Sequence, residues 1–184
     1  MVEKIIHFAR FMMGRERLMH AILVRDFALK LSHVHGLDPF KMELMALSHD
    51  LFRDVPPHKL LKIAKVWNIE VEDVELKNPV LLHGKVAAEF LKRRFDYDDE
   101  KVLLAIAYHT SGHPALDLHG KALVISDTLS MDRNFDGLED LRKIAFKDLE
   151  MAFKEVLRNR INYAIKTDRF LLPKSVQTWN TIVG

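Results

Sequence analysis

The sequence predicts an all-α protein, a single compact helical bundle, on three observations. Glycine and proline are scarce, with 7 and 6 in 184 residues. Leu, Lys, Glu, Ala and Met dominate, so intrinsic preference favours helix nearly throughout. Between the breaks, apolar residues recur at three-and-four steps more often than by strict alternation, as packed helices require and sheet does not. The length is close to the roughly 150 residues of one ordinary domain and leaves room for a substantial core.

The breaks order the elements. Gly14 ends the first segment, His35-Gly36 with Asp38-Pro39 the second, and Pro56-Pro57 the third. Further breaks fall at Asn78-Pro79, Asp96 to Asp99, Ser111 to Pro114, Asn134 to Gly137 and Leu172-Pro173. Ala122 to Ile125 is a short apolar run that periodicity alone could assign to a buried strand; with no partner strand in view, we read it as helix. No internal repeat, low-complexity tract or linker interrupts the chain.

Composition excludes several classes of function. The chain has no Cys, which removes disulfide scaffolds, thiolate zinc sites, iron–sulfur clusters and cysteine nucleophiles, so any metal must be held by nitrogen and oxygen. Lys and Arg number 28 against 26 Asp and Glu, a formal charge of +2, and no strong field marks nucleic acid or anionic lipid as the partner. No apolar run approaches the 18 residues of a membrane span, and the start lacks a secretory pattern, so a cytoplasmic protein is expected. No Gly-rich nucleotide loop, nucleophile elbow or Walker-type motif is present.

The informative residues are four histidines on apolar stripes. His20 is followed at helical steps by Leu23, Val24, Phe27 and Leu31, and His49 is preceded by Ala46, Met45 and Met42. His83 leads to Val86, Ala87 and Phe90, while His109 follows Ile106, Ala105 and Val102. Four segments thus each aim an imidazole inward. Asp50 adjoins His49, and Asp127 follows Leu123 and Val124, so two carboxylates point into the same interior.

One such His, taken alone, is most often a core residue bonded to a carbonyl. Together, four imidazoles and two acids would bury two negative charges with no Lys or Arg at an obvious pairing position, at a cost of several kcal/mol per unpaired ion. A metal cation removes that cost. Imidazole and carboxylate suit iron, manganese or zinc, and six ligands exceed one tetrahedral zinc; two metals sharing a carboxylate fit better. The other histidines differ: His7, His33, His35 and His58 are expected at the surface or at helix ends, and His113 and His119 flank the loop after His109. Phe11-Met12-Met13 and the Phe residues of the last third are expected as core or as contacts of a homodimer.

A His, a distant His-Asp pair on a helix, further His, and an Asp after an apolar run form a pattern that resembles HD-domain metal-dependent phosphohydrolases, in particular the YqeK-type family. The resemblance spans nearly the whole chain. It runs through Arg17-Leu18-Met19-His20, Ser48 to Asp54, Leu82-His83-Gly84 and Ala107 to Gly112. It continues through Lys121 to Asp127, Asp132 to Phe135 and Leu141-Arg142-Lys143, to Gln177-Thr178-Trp179-Asn180. It implies a metal-binding core over about residues 15–135 and C-terminal helices over 138–184. It also implies symmetrical hydrolysis of diadenosine tetraphosphate to two ADP. The family's dinuclear site, iron first with manganese or zinc as alternatives, would place His20, His49, Asp50 and Asp127 on one metal. Asp50 would bridge to a second metal held by His83 and His109. The chain departs from the family's usual Lys at Arg53, its Arg at Ala107 and His113, and its acidic residue and Pro within Thr128 to Met131.

A polyphosphate resists water because its oxygens repel nucleophiles. A metal pair lowers the pKa of water from 15.7 toward about 7 and clamps the reacting oxygens, so that hydroxide could attack an inner phosphorus and expel ADP. Charge developing on the phosphoryl oxygens calls for donors, and Arg53 and Arg133 are candidates by the guanidinium's fit to phosphate. Thr110 and Ser111 would donate hydroxyl or backbone bonds, and Asp54 would orient Arg53 or a leaving-group proton. The competing readings are another HD nucleotidase or phosphodiesterase acting on a signalling nucleotide, and a weakly active metal- and nucleotide-binding module.

Overall fold

The computed structural model describes residues 1–184. It is an all-helical bundle without strands: α1 (Val2–Met12), α2 (Arg15–His35), α3 (Pro39–Ser48), α4 (Pro57–Trp67), α5 (Asp73–Lys77), a 3₁₀ turn (Pro79–Leu82), α6 (His83–Phe95), α7 (Glu100–Tyr108), α8 (Leu118–Leu129), α9 (Leu138–Ala145), α10 (Leu149–Lys166) and α11 (Pro173–Val183). No helix is long and apolar enough to cross a membrane.

The punctuation residues act as their chemistry dictates. Gly36 takes φ 65° and ends α2 in the left-handed conformation, where a Cβ would be strained. The Asp38 carboxylate accepts from the N–H groups of Phe40 and Lys41, and Asp99, Asp117 and Asp148 cap α7, α8 and α10 in the same way. Pro39, Pro57 and Pro173 each occupy a first turn, where the missing N–H costs nothing. The break near Asp148, which separates α9 from α10, is one the sequence reading did not find.

At the centre lies α8, packed on α2, α3, α7 and α10. Its residues from Ala122 to Leu129 are all buried, which is why this stretch reads as a continuous apolar run: a helix enclosed on every side has no polar face to give it a period. Phe11, by contrast, is 85% exposed while Met13 is buried, so the Phe11-Met12-Met13 cluster is only partly core. One buried cation steadies the approach to α6. Lys85 Nζ donates to Glu75 at 2.8 Å, Glu72 at 3.2 Å and the Glu70 carbonyl at 3.2 Å, fastening the 70–75 segment beside His83.

A glycine lets the start of α6 lie directly against the end of α7. A Cβ on Gly84 would lie 2.7 Å from the Ile106 carbonyl oxygen and 2.8 Å from that of Ala107, both backbone atoms that cannot yield without moving the end of α7. Gly84→Ala should therefore lower the unfolding free energy by about 1–3 kcal/mol in urea titration. It should also weaken divalent-metal binding, because His83 and His109 ride on the two elements forced apart.

Candidate metal centre

All six sequence-predicted acid and imidazole residues converge. The groups His20, His49 and Asp50, and Asp50, His83 and His109, each present ligand atoms within 4.8 Å of one another, and all five residues are buried. Ligands around one ion at about 2.1 Å lie up to about 4 Å apart, so both triads are near coordination dimensions. Asp127 completes the first group, with Oδ1 3.1 Å from His20 Nε2 and 3.9 Å from His49 Nε2.

Local structure aims each ring. His49, His83 and His109 are the C-cap residues of α3, the 3₁₀ turn and α7. Their Nδ1 atoms lie 2.8, 2.6 and 2.8 Å from the carbonyls of Ala46, Val80 and Ile106, three residues earlier. Last-turn carbonyls of a helix lack a regular intrahelical partner, and a carbonyl can only accept, so each Nδ1 must carry the proton and each Nε2 keeps a lone pair. His20 differs: its Nδ1 faces the Asp132 carboxylate at 2.8 Å and its Nε2 faces Asp127 Oδ1 at 3.1 Å, so a carboxylate meets each ring nitrogen.

Three lone pairs therefore face one interior region, with His20 Nε2 beside them against Asp127. The Nε2 atoms of His83 and His109 are 3.2 Å apart with no proton to share. His49 Nε2 is buried without any hydrogen-bond partner. Each is the signature of a site shaped for a cation. The two oxygens of Asp50 divide between the groups: Oδ1 lies 3.1 Å from His83 Nε2 and 3.6 Å from His109 Nε2, while Oδ2 lies 3.8 Å from His49 Nε2.

One expectation is overturned. The carboxylates are not without basic partners. Arg17 donates to Asp50 Oδ2 at 2.9 Å, and Arg133 and Arg160 each reach Asp127 at 2.9 Å. Two of these partners, Arg17 and Arg160, lie 33 residues from the acid they meet, beyond the reach of local spacing. Arg17 had one available signal: it precedes His20 by three residues and so shares its inward face. Arg133 Nη2 also lies 3.2 Å from His20 Nε2, standing as a cation in the corner between that ring and Asp127. The case for a metal thus rests on the imidazole lone pairs more than on unpaired acids.

Arg160 was not found from sequence. Its guanidinium, about a fifth exposed at 21%, donates to Asp127 Oδ2, to the carbonyls of His109, Thr110 and Val124, and to Thr128 Oγ1. A helix beyond the histidine-bearing segments thus fixes Asp127 and the end of α7 together. Asp54 accepts from the Gly14 N–H at 2.9 Å and lies 3.5 Å from Arg17 Nε. It forms no ion pair with Arg53, so the residue it orients is Arg17. Thr110 Oγ1 is 3.2 Å from His109 Nε2, and Ser111 Oγ donates to the Gly112 carbonyl at 2.9 Å.

Charge states follow from burial and neighbours. Burial lowers His49 to about 4, so it is neutral at physiological pH. Burial alone would raise Asp50, yet the surrounding His49, His109 and His83 outweigh it and hold the carboxyl well below its ordinary range. Asp127 is likewise held low against burial, chiefly by its bond to His20 and by Arg160. Burial also opposes protonation of His20, but its bond to Asp127 outweighs this and raises it.

An enclosed set of four imidazoles and two carboxylates on a helical bundle defines a metal-dependent hydrolase of the histidine–aspartate type. The HD domain family matches residues 17–132. Two relatives are symmetrical bis(5'-nucleosyl)-tetraphosphatases: that of Bacillus subtilis is 30% identical, covering 91% of this chain and 90% of the relative, and that of Halalkalibacterium halodurans is 31% identical, covering 91% and 89%. The crystal structure of an HD superfamily hydrolase from Clostridium acetobutylicum, described as involved in NAD metabolism, superposes with a TM-score of 0.92 at 31% identity, over 98% of this chain and 96% of that one. The chain belongs to the HD domain family, in the branch of the symmetrical bis(5'-nucleosyl)-tetraphosphatases.

The pH response of the metal-free protein tests the imidazole assignment. The stability gained by keeping His49 neutral is fully present above its ordinary value of 6.5 and is lost as pH falls through 6.5 toward about 4. That loss is about 1.4 kcal/mol per pH unit, roughly 3 kcal/mol in all. His83, also lowered by burial, adds to the loss, whereas the raised His20 opposes it. Urea midpoints should fall between pH 7 and 4.5, and His49→Asn should flatten that slope; an equal slope in the variant would contradict the assignment.

Proposed function

We propose that this chain cleaves a dinucleoside polyphosphate, diadenosine tetraphosphate foremost, symmetrically into two nucleoside diphosphates, with two metal ions, iron first and manganese or zinc as alternatives. The observation that carries this reading is the split of Asp50, with one oxygen turned to each histidine group. His20, His49, Asp50 and Asp127 would hold one ion, and Asp50, His83 and His109 the other. Bound there, such a pair supplies an activated water and withdraws charge from the phosphoryl oxygens.

The chain's own residues would do the rest. Burial of His49 and His83 favours their unprotonated, ligating form. Arg17 and Arg133 have side chains 31% and 41% exposed, so each could also meet a phosphate oxygen at the carboxylate it holds, and guanidinium forks match phosphate geometry. Arg53 forms no ion pair within the chain and is half-buried in the turn after His49-Asp50, free to meet the substrate. Thr110 and Ser111 follow His109, and hydroxyl or backbone N–H groups there would add neutral donors. The symmetrical cut is supported by the two relatives, whose names carry that activity.

Chromatography of the products separates this reaction from its rivals. ADP as the sole product of diadenosine tetraphosphate supports it, whereas AMP plus ATP, or orthophosphate from a mononucleotide, points to a different phosphohydrolase. Asp50→Asn should cut kcat/KM by more than about a hundredfold and lower bound metal by elemental analysis, because it removes a ligand charge shared by both ions. Arg53→Ala should cut kcat/KM by about ten- to a hundredfold, the worth of one charged hydrogen bond, with metal content unchanged; loss of metal there would refute its role as a phosphate donor.

A further inference from the structure

A cavity of about 780 Å³ opens beside Asp127, between the loop after α8 and the last turns of α10. Its α10 wall is unlike the rest of that helix. Upstream, α10 buries Ala152, Phe153, Val156 and Leu157 in the core. Toward its end, Asn159, Asn162, Tyr163 and Lys166 follow at steps of three, four and seven, a single stripe, and all four line the cavity. Arg133 and Phe135 face them from the loop.

The polar groups of this stripe are unspent. Neither asparagine amide is hydrogen-bonded within the chain, and Lys166 forms no ion pair, although the neighbouring Arg160 is saturated. Tyr163 is 51% exposed, and the Arg169 guanidinium lies 5.2 Å from its ring centroid, steadying the aromatic plane. Of the three acids that line the cavity, Asp127 meets guanidinium groups with both oxygens and Asp132 binds His20 and Ser130, while Asp136 is exposed and unpaired, so the cations that face the phosphates are Lys166 and Arg133.

We propose that this cleft seats one nucleoside diphosphate half of the substrate, with the base on Tyr163 and Phe135, its edge at the asparagine amides, and its phosphates drawn past Lys166 and Arg133 toward Asp127. The proposal rests on the dinucleotide reading above and adds where recognition occurs. Aromatic rings stack any base, and an amide offers the paired donor and acceptor that a purine edge presents. Lysine and arginine complement the phosphates. The α10 stripe lies beyond the residues matched by the HD domain, so a shared hydrolytic centre is fitted here to its own substrate by a neighbouring helix.

Calorimetric binding of ADP and of inorganic pyrophosphate to the metal-loaded protein tests this. Tyr163→Ala should weaken ADP about tenfold while leaving pyrophosphate within about twofold and metal content unchanged. Lys166→Ala should weaken both probes by about three- to tenfold. In turnover, Tyr163→Ala should raise KM with kcat nearly constant, the mark of lost ground-state binding. Failure of the loaded wild type to bind ADP, ADP binding within about twofold of wild type in both variants, or equal loss of both probes in Tyr163→Ala would overturn the proposal. The reaction itself fails separately: a wild type that binds ADP through Tyr163 yet yields no ADP from diadenosine tetraphosphate refutes the hydrolysis and leaves the nucleotide seat standing.

Discussion

The structure depends on a buried carboxylate, Asp50, that no single neighbour satisfies. One of its oxygens belongs to His83 and His109, and the other to His49 and Arg17. An ionised acid this enclosed is tolerable only when opposite charge and hydrogen bonds meet it from every open direction. That requirement draws in contributions from α2, the end of α3, the start of α6 and the end of α7. Because the groups come from distant parts of the chain, the centre exists only when the whole bundle is packed, and folding and site formation are one event.

Helix ends supply the precision. A terminal carbonyl without a partner is ordinarily a cost, met by water or by a cap. Here the C-cap residues of α3 and α7 are histidines that return a proton to Ala46 and Ile106. The same bond satisfies the carbonyl, selects the tautomer and points Nε2 inward, so termination of the helix and preparation of a ligand share one interaction. His20, the exception, sits within α2 and is oriented by carboxylates, Asp132 at Nδ1 and Asp127 at Nε2.

This separates what could be read from the sequence from what could not. The faces of His20, His49, His83 and His109 were legible because they continue apolar stripes, and continuation of a stripe survives even where, as at His49 and His109, the helix stops at the residue itself. The resemblance assigned Asp50 its bridging place, and the split of its oxygens accords with that. Arg160 was not legible: α10 places it among Asn159, Ile161 and Asn162, and nothing in that local pattern says that it crosses to Asp127 and the α7 terminus. Asp54 was read toward the adjacent Arg53, but in three dimensions the nearer cation is Arg17, which α2 brings alongside. Helical periodicity fixes a direction within one element; it carries no information about which element lies opposite.

The position of α10 has a further consequence for how such a centre can be adapted. Its inward side is constrained by Phe153, Val156 and Leu157 in the core and by Arg160, which binds Asp127 and the carbonyls of His109 and Thr110 at once. Arg160 cannot change without disturbing Asp127 and the end of α7 together. Its outward edge touches neither the core nor the ligands, so side chains there can vary without cost to packing. A helix anchored through one arginine can therefore offer a changeable wall to a fixed reaction centre, and the rigidity that positions Asp127 is what makes variation a few ångströms away tolerable.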